Sequence, residues 1–225
     1  MQLAVAANFA APMKQLAAAF EKRSGHKAIL SVGSTGKFYA QIINGAPFDV
    51  LLAADDETPA KLEKEGAAVT GTRFTYAVGR LVLWSAKPGT VDANGAVLMR
   101  NDFKHLAIST PKLAPYGAVA IETLTQMGLL AALQPKLVTG DSSGQTFNMV
   151  SSGNAELGFV AKSQVFENGL LKTGSAWVVP AHLHSPLRQD AVLLMRAANN
   201  PAAQQLLMFL KTPQASAIMA SFGYE

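Results

Sequence analysis

The run SVGSTGK, Ser31 to Lys37, follows an apolar segment with a small-residue loop, a glycine and a lysine, as a nucleotide-binding P-loop does. The strict pattern is G-x-x-x-x-G-K-[ST]. Counting back from Gly36, its first glycine falls on Ser31, and its closing hydroxyl residue falls on Phe38. Two of the four fixed positions fail, so the P-loop is rejected. The local shape survives. Lys27 to Val32 reads as a strand and Gly33 to Gly36 as a turn, with Phe38, Ile42 and Ile43 on the buried face of a following helix. A strand that turns into a helix through Ser-Thr-Gly aims free backbone N–H groups at whatever lies above it, which makes an anion site without any lysine.

The same device recurs along the chain. Leu3 to Ala6 leads through Ala7-Asn8 into a helix with Met13, Leu16, Ala17 and Phe20 on one face. Val50 to Ala53 leads through Ala54-Asp55 into a helix over Thr58 to Glu65. Leu106 to Ile108 leads through Ser109 to Pro115 into a helix ending near Met127. Lys136 to Thr139 leads through Gly140-Asp141-Ser142-Ser143-Gly144 into a helix carrying Phe147 and Val150. Leu157 to Val160 precedes a helix from about Ala161 to Glu167. Strands alternating with helices predict an α/β fold with mixed, mostly parallel sheets and helices on both faces.

The middle breaks this rhythm. Thr75 to Val78 and Arg80 to Ser85 are extended and apolar around Gly79, and Ala191 to Met195 is a second isolated strand. We read these as two crossover strands forming a hinge. Residues 1–79 with 189–225 then make one lobe and residues 80–188 the other. Ala215, Ile218, Met219 and Phe222 recur at helical spacing and need a surface to cover. Met195, Met208 and Met219 read as core. Two α/β lobes leave a ligand cleft at the C-terminal ends of their strands.

Composition narrows the partners. Hydrophobic residues make up 49% and charged residues 15% of 225 residues, as in a globular protein with real cores. The net charge of +4 is scattered rather than gathered into a basic stripe, so no nucleic-acid partner is expected. No apolar run approaches the ~20 residues that span a bilayer. The absence of cysteine removes thiolate metal sites, thiol nucleophiles and disulfides. Met1-Gln2 runs straight into the apolar segment Leu3 to Ala7, which fits either a cytoplasmic protein or a mature chain whose signal was replaced by Met1.

The turns expected at the cleft are Ala7-Asn8, Ser34-Thr35, Ala54, Pro115-Tyr116-Gly117 and Ser142-Ser143-Gly144. They offer small residues, hydroxyls, an amide and helix N-terminal backbone. Each alone is an ordinary helix cap, but several of one makeup on both lobes suit a small, fully deprotonated oxyanion, which only accepts hydrogen bonds. About six such bonds at roughly 1.5–3 kcal/mol each, less immobilisation and desolvation, allow micromolar to nanomolar affinity.

A resemblance sharpens this. Ala6-Ala7-Asn8-Phe9, Gly33-Ser34-Thr35-Gly36, Asn44-Gly45-Ala46-Pro47-Phe48-Asp49-Val50, Ala53-Ala54-Asp55, Ala114-Pro115-Tyr116-Gly117, Gly158-Phe159-Val160-Ala161 and Ser221-Phe222-Gly223-Tyr224 occur in order over essentially the whole chain. Together they resemble the molybdate-binding periplasmic proteins of ABC-type importers. The resemblance implies a two-lobe, type II-like periplasmic-binding-protein fold. It implies molybdate or tungstate as ligand, a membrane permease as partner, a periplasmic location and a monomer. No cofactor and no directly bound metal ion are implied, because the metal arrives as its oxyanion. Carried over by position, the ligand set is Ala7 and Asn8, Ser34 and Thr35, the Ala54 backbone N–H, Tyr116, and Ser142 or Ser143. Many members have serine at the place of Asn8 and tyrosine at the place of Ala161, so a phenol here would come from Tyr116. Chromate and sulfate are alternative ligands, being acceptor-only dianions of other sizes.

Two other classes compete. Gly140-Asp141-Ser142-Ser143-Gly144 matches the G-x-S-x-G elbow of a serine hydrolase, with Glu156 or Glu167 and then His182 or His184 in the right order, but no HGGG-like segment accompanies it. His182-x-His184 has no third metal ligand near it. A ligand-sensing domain of a transcription regulator shares the two-lobe fold, yet no helix-turn-helix precedes Leu3. The Asp55-Asp56 pair reads as a complement to a helix dipole.

Overall fold

Strand follows helix as the apolar runs predict, over residues 1–225 of the computed structural model. The chain begins with β1 (Gln2–Ala6), a 3-10 turn (Ala7–Phe9) and α1 (Ala10–Ser24). Then come β2 (Ile29–Gly33), α2 (Thr35–Ile43), β3 (Val50–Leu52), α3 (Glu57–Lys64) and β4 (Phe74–Gly79). After Arg80 the chain enters β5 (Leu81–Ser85), α4 (Val97–Arg100), β6 (Leu106–Ser109), α5 (Pro115–Gln126), α6 (Leu130–Leu133), β7 (Leu137–Gly140) and α7 (Ser143–Ser151). It continues through β8 (Leu157–Ala161), α8 (Lys162–Val165), β9 (Phe166–Glu167), β10 (Leu170–Leu171) and β11 (Ser175–Val178). It ends with β12 (Leu187–Leu193), α9 (Pro201–Leu210) and α10 (Pro213–Ser221).

Two five-stranded mixed sheets result, ordered β2-β1-β3-β12-β4 and β11-β5-β8-β6-β7. In the first, β1 pairs in parallel with β2 and β3, and β12 runs antiparallel to β3 and β4. In the second, β6 pairs in parallel with β7 and β8, and β5 runs antiparallel to β8 and β11. Each sheet is covered on both faces, which explains why its strands read as continuous apolar runs. Leu3 and Val5 pack under α1, α9 and α10, while Ala4 and Leu51 meet Phe38 and Leu62 on the other side. Leu81, Leu106 and Phe159 face α5, and Val82, Ala107 and Val160 face α7. Two lobes follow, each with its own pair of cores, and this is the predicted fold class.

Five expectations need correction. The second strand begins at Ile29, not Lys27. Ile43 is 47% exposed, because it follows Ile42 by one residue and so turns off the stripe that Phe38 and Ile42 share. Helix α8 ends at Val165, since Asn168 and Gly169 both take positive φ and close a β9–β10 hairpin. Met195 and Met208 are 46% and 62% exposed, whereas Met219 and Phe222 are buried with the C-terminal helix on α1 and α9. The strand expected over Ala191 to Met195 starts earlier, at Leu187.

Candidate functional site

Four helix N-termini meet between the sheets: the turn at Ala7 that runs into α1, and the starts of α2 at Thr35, α5 at Pro115 and α7 at Ser143. The first N–H groups of a helix have no intrahelical acceptor, and the dipole makes that end positive. Between them lies a cavity of about 10 Å³, lined by Ala7, Asn8, Ser34, Thr35, Ala54, Tyr116 and Ser143 among others, with no charged side chain in its wall. That is roughly the room of one water-sized sphere between the closed lobes, which excludes a nucleotide.

Ser34 is 3% exposed and its Oγ has no hydrogen-bond partner in the protein. Its neighbour Thr35 is equally buried, and Thr35 Oγ1 accepts the Ala54 N–H at 2.9 Å. That bond consumes the Ala54 N–H expected to reach the ligand. It also leaves the Thr35 hydroxyl proton free to point into the cavity, so Ala54 acts through Thr35.

Asn8 is buried, and its side chain faces Gln189 and Tyr224. Both protons of its amide are engaged, on Gln189 Oε1 and on the Tyr224 hydroxyl, each at 2.9 Å. Asn8 can therefore offer the cavity its backbone N–H but not its Nδ2. The Asn8 carbonyl accepts from Ser163 Oγ at 2.7 Å, across the lobes. Tyr116 lines the cavity and accepts a bond from Gln189 Nε2 at 3.1 Å, while Ala161 lies outside the cavity wall. Burial raises Tyr116 and Tyr76 well above the usual phenol range and Tyr224 to about 12, so all three phenols stay neutral and able to donate. Of this network of Gln189, Tyr76, Ser163 and Tyr224, only Tyr224 lies in a motif singled out from the sequence, and there without a role. A further signal is a pair of polar residues, Gln189-Asp190, at the entrance to an apolar strand.

The two serines of the second-lobe turn separate. Ser143 lines the cavity as the first residue of α7, whereas Ser142 lines an adjoining depression with Lys37 and Asp141. Ser142 Oγ caps α7 by accepting the Gln145 N–H at 3.3 Å, and no histidine bonds to it. The hydrolase arrangement is therefore not assembled. His184 Nδ1 is held by Ser185 O at 2.7 Å, and no cluster of three metal-ligating side chains exists. Lys37 turns away from the cavity to pair with Asp141 of the other lobe at 2.6 Å. Beside it the Gly36 N–H donates to Leu113 O at 3.0 Å, so the lobes are closed over the cavity.

The whole chain, residues 1–225, matches the model of the family described as bacterial extracellular solute-binding protein. It is 60% identical over 224 residues to the molybdate-binding protein ModA of Azotobacter vinelandii, covering 100% of this chain and 89% of that protein. It is 51% identical over 221 residues to the ModA of Rhodobacter capsulatus, covering 98% and 86%. A solved structure of the Azotobacter vinelandii periplasmic molybdate-binding protein superposes with a TM-score of 0.97 at 44% identity, over 100% of this chain and 98% of that one. A full-length family match, high identity to two ModA proteins and a shared two-lobe fold agree: the chain belongs to the bacterial extracellular solute-binding proteins, binding proteins rather than enzymes, in the group that contains ModA.

Proposed function

We propose that this chain captures molybdate or tungstate in the interlobe cavity and presents it to the membrane permease of an ABC importer from the periplasm. The lobes of this reading are residues 1–79 with 189–225 and residues 80–188. The ion sits on the Ser34 and Thr35 hydroxyls, the Tyr116 phenol and backbone N–H groups at Ala7, Asn8 and Ser143. Ala54 supports Thr35, and Ser142 holds the α7 terminus in place.

The observation that carries this reading is the Ser34 hydroxyl, buried without a partner against a small cavity at four helix N-termini. An orphaned buried hydroxyl costs roughly 1–3 kcal/mol, and an anion in the cavity removes that cost. The wall offers hydroxyls and N–H groups and no cation, which fits an ion recognised by hydrogen bonds alone. The similarity to two molybdate-binding proteins supports molybdate within that class.

Thermal unfolding of ligand-free protein tests it, since a ligand that binds only the folded state raises the midpoint. Molybdate and tungstate are expected to raise it strongly, and sulfate and phosphate little. No shift with any of the four anions would overturn the reading.

A further inference from the structure

We propose that Ser163 and Gln164, neighbours on α8, are positioning residues that hold the two halves of the anion cavity in register, the Ser163 contact forming as the lobes close. The inference rests on the oxyanion reading above. Asn8 follows β1 of the first sheet, and Ser163 follows β8 of the second. Ser163 is buried, and its Oγ donates to Asn8 O at 2.7 Å. Beside it, Gln164 Nε2 donates at 2.9 Å to the carbonyl of Ser143, the first residue of α7. Asn8 and Ser143 line the cavity, whereas Ser163 and Gln164 do not. One short helix thus grips both turns from outside the wall.

Both grips are held in place. Gln164 Oε1 accepts the Ala161 N–H at 2.9 Å, which commits Nε2 to Ser143. The helix itself is moored at the hinge, where the Lys162 N–H donates to Arg80 O at 2.9 Å. The hairpin that follows it is tied to α10 by the Asn168 N–H, which donates to Ser221 O at 2.6 Å. A held carbonyl fixes the plane of its peptide, and with it the free N–H groups of the turn. The gripped turns touch: a Cβ on Gly144 would stand 3.3 Å from Ala7 Cβ. A shift of either turn therefore changes the spacing of donors across the cavity.

The two bonds act at different stages. The Ser163–Asn8 bond spans the lobes, so opening breaks it. The Gln164–Ser143 bond lies within one lobe and survives opening. Loss of the Ser163 hydroxyl therefore weakens the closed form alone: the ion leaves faster, while the open form captures it at the old rate. Loss of the Gln164 amide loosens the start of α7 in both forms and slows capture as well. The Tyr224 hydroxyl, 3.0 Å from Asn8 O, remains as a donor when Ser163 is truncated, so that carbonyl is not stranded.

The test follows release of isotopically labelled molybdate into excess unlabelled molybdate, for wild type, Ser163→Ala and Gln164→Met. Calorimetry supplies the dissociation constants, and the release rate divided by the dissociation constant gives the capture rate. Ser163→Ala is expected to release the ion about tenfold faster, to capture it within about twofold of the wild-type rate, and to melt without ligand close to wild type. Gln164→Met is expected to weaken binding about tenfold, part of it through slower capture. Wild-type release from Ser163→Ala, a loss carried by slower capture, or a ligand-free melting temperature well below wild type overturns the role of Ser163. Wild-type affinity in Gln164→Met, or a loss carried by release alone, overturns that of Gln164. If Gln164→Met does not fold, Gln164→Glu, which keeps the acceptor for the Ala161 N–H, takes its place. Wild type that ignores molybdate overturns the oxyanion reading as well.

Discussion

Lys37 Nζ lies 2.6 Å from Asp141 Oδ2, joining α2 of one lobe to the turn before α7 of the other. The lysine that gives SVGSTGK its P-loop look is therefore a strap across the cleft, not a ligand. Both side chains are about half exposed, and such pairs contribute roughly 0.2–1 kcal/mol. Lys37→Ala should weaken molybdate binding by no more than about fivefold, with a smaller dependence on salt than wild type. Titration at low and high ionic strength checks both points.

Thr35→Ala is expected to do far more. It removes a hydroxyl facing the anion and strands the Ala54 N–H that now rests on Thr35 Oγ1. Affinity should fall by about ten- to a hundredfold, while Thr35→Ser stays close to wild type. Equal losses for Thr35→Ala and Lys37→Ala, measured by calorimetry, would remove Thr35 from the ligand set.

Gly36 tests closure itself. A Cβ on Gly36 would stand 3.1 Å from Leu113 Cα and 3.2 Å from Leu113 O, across the cleft. Both are backbone atoms that yield only if the lobes part. Gly36→Ala should reduce molybdate affinity by at least about fivefold and leave the ligand-free melting temperature unchanged. Small-angle scattering should show less compaction on adding ligand than in wild type.

Asp55 gives the fold a pH dependence. Burial, aided by Glu57 and Asp56, raises its carboxyl from 3.8 to about 6, against the opposing hydrogen bonds from Thr58. The folded state thus keeps a proton that the unfolded chain has already released. Stability from this group is full below pH 3.8 and is lost as pH rises to about 6, on the order of 2–3 kcal/mol. Asp55→Asn, which keeps the cap on the Thr58 N–H, should melt higher than wild type above pH 6 and flatten the slope between the two values. Melting temperatures across that range give the answer.

Much of this was legible in the sequence because both sheets are buried on both faces. Their strands read as apolar runs and each turn stands out as small polar residues, and Ser34, Thr35, Tyr116 and Ser143 of those turns line one cavity. Adjacency along the chain could not separate Ser142 from Ser143, because one residue of difference at a helix start sends one side chain to the cap and leaves the other at the cavity. Nor could it orient Asn8, whose amide is claimed by Gln189 and Tyr224, far away in sequence. The Asn168-Gly169 pair, by contrast, was readable: it marks a hairpin that the helical reading over Ala161 to Glu167 passed over.

The most direct measurement is calorimetric titration of ligand-free protein with molybdate, repeated in excess sulfate and in excess phosphate. Saturation at one ion per chain is expected, with submicromolar affinity that phosphate does not displace. Absence of heat with molybdate, or equal displacement by phosphate, would contradict it.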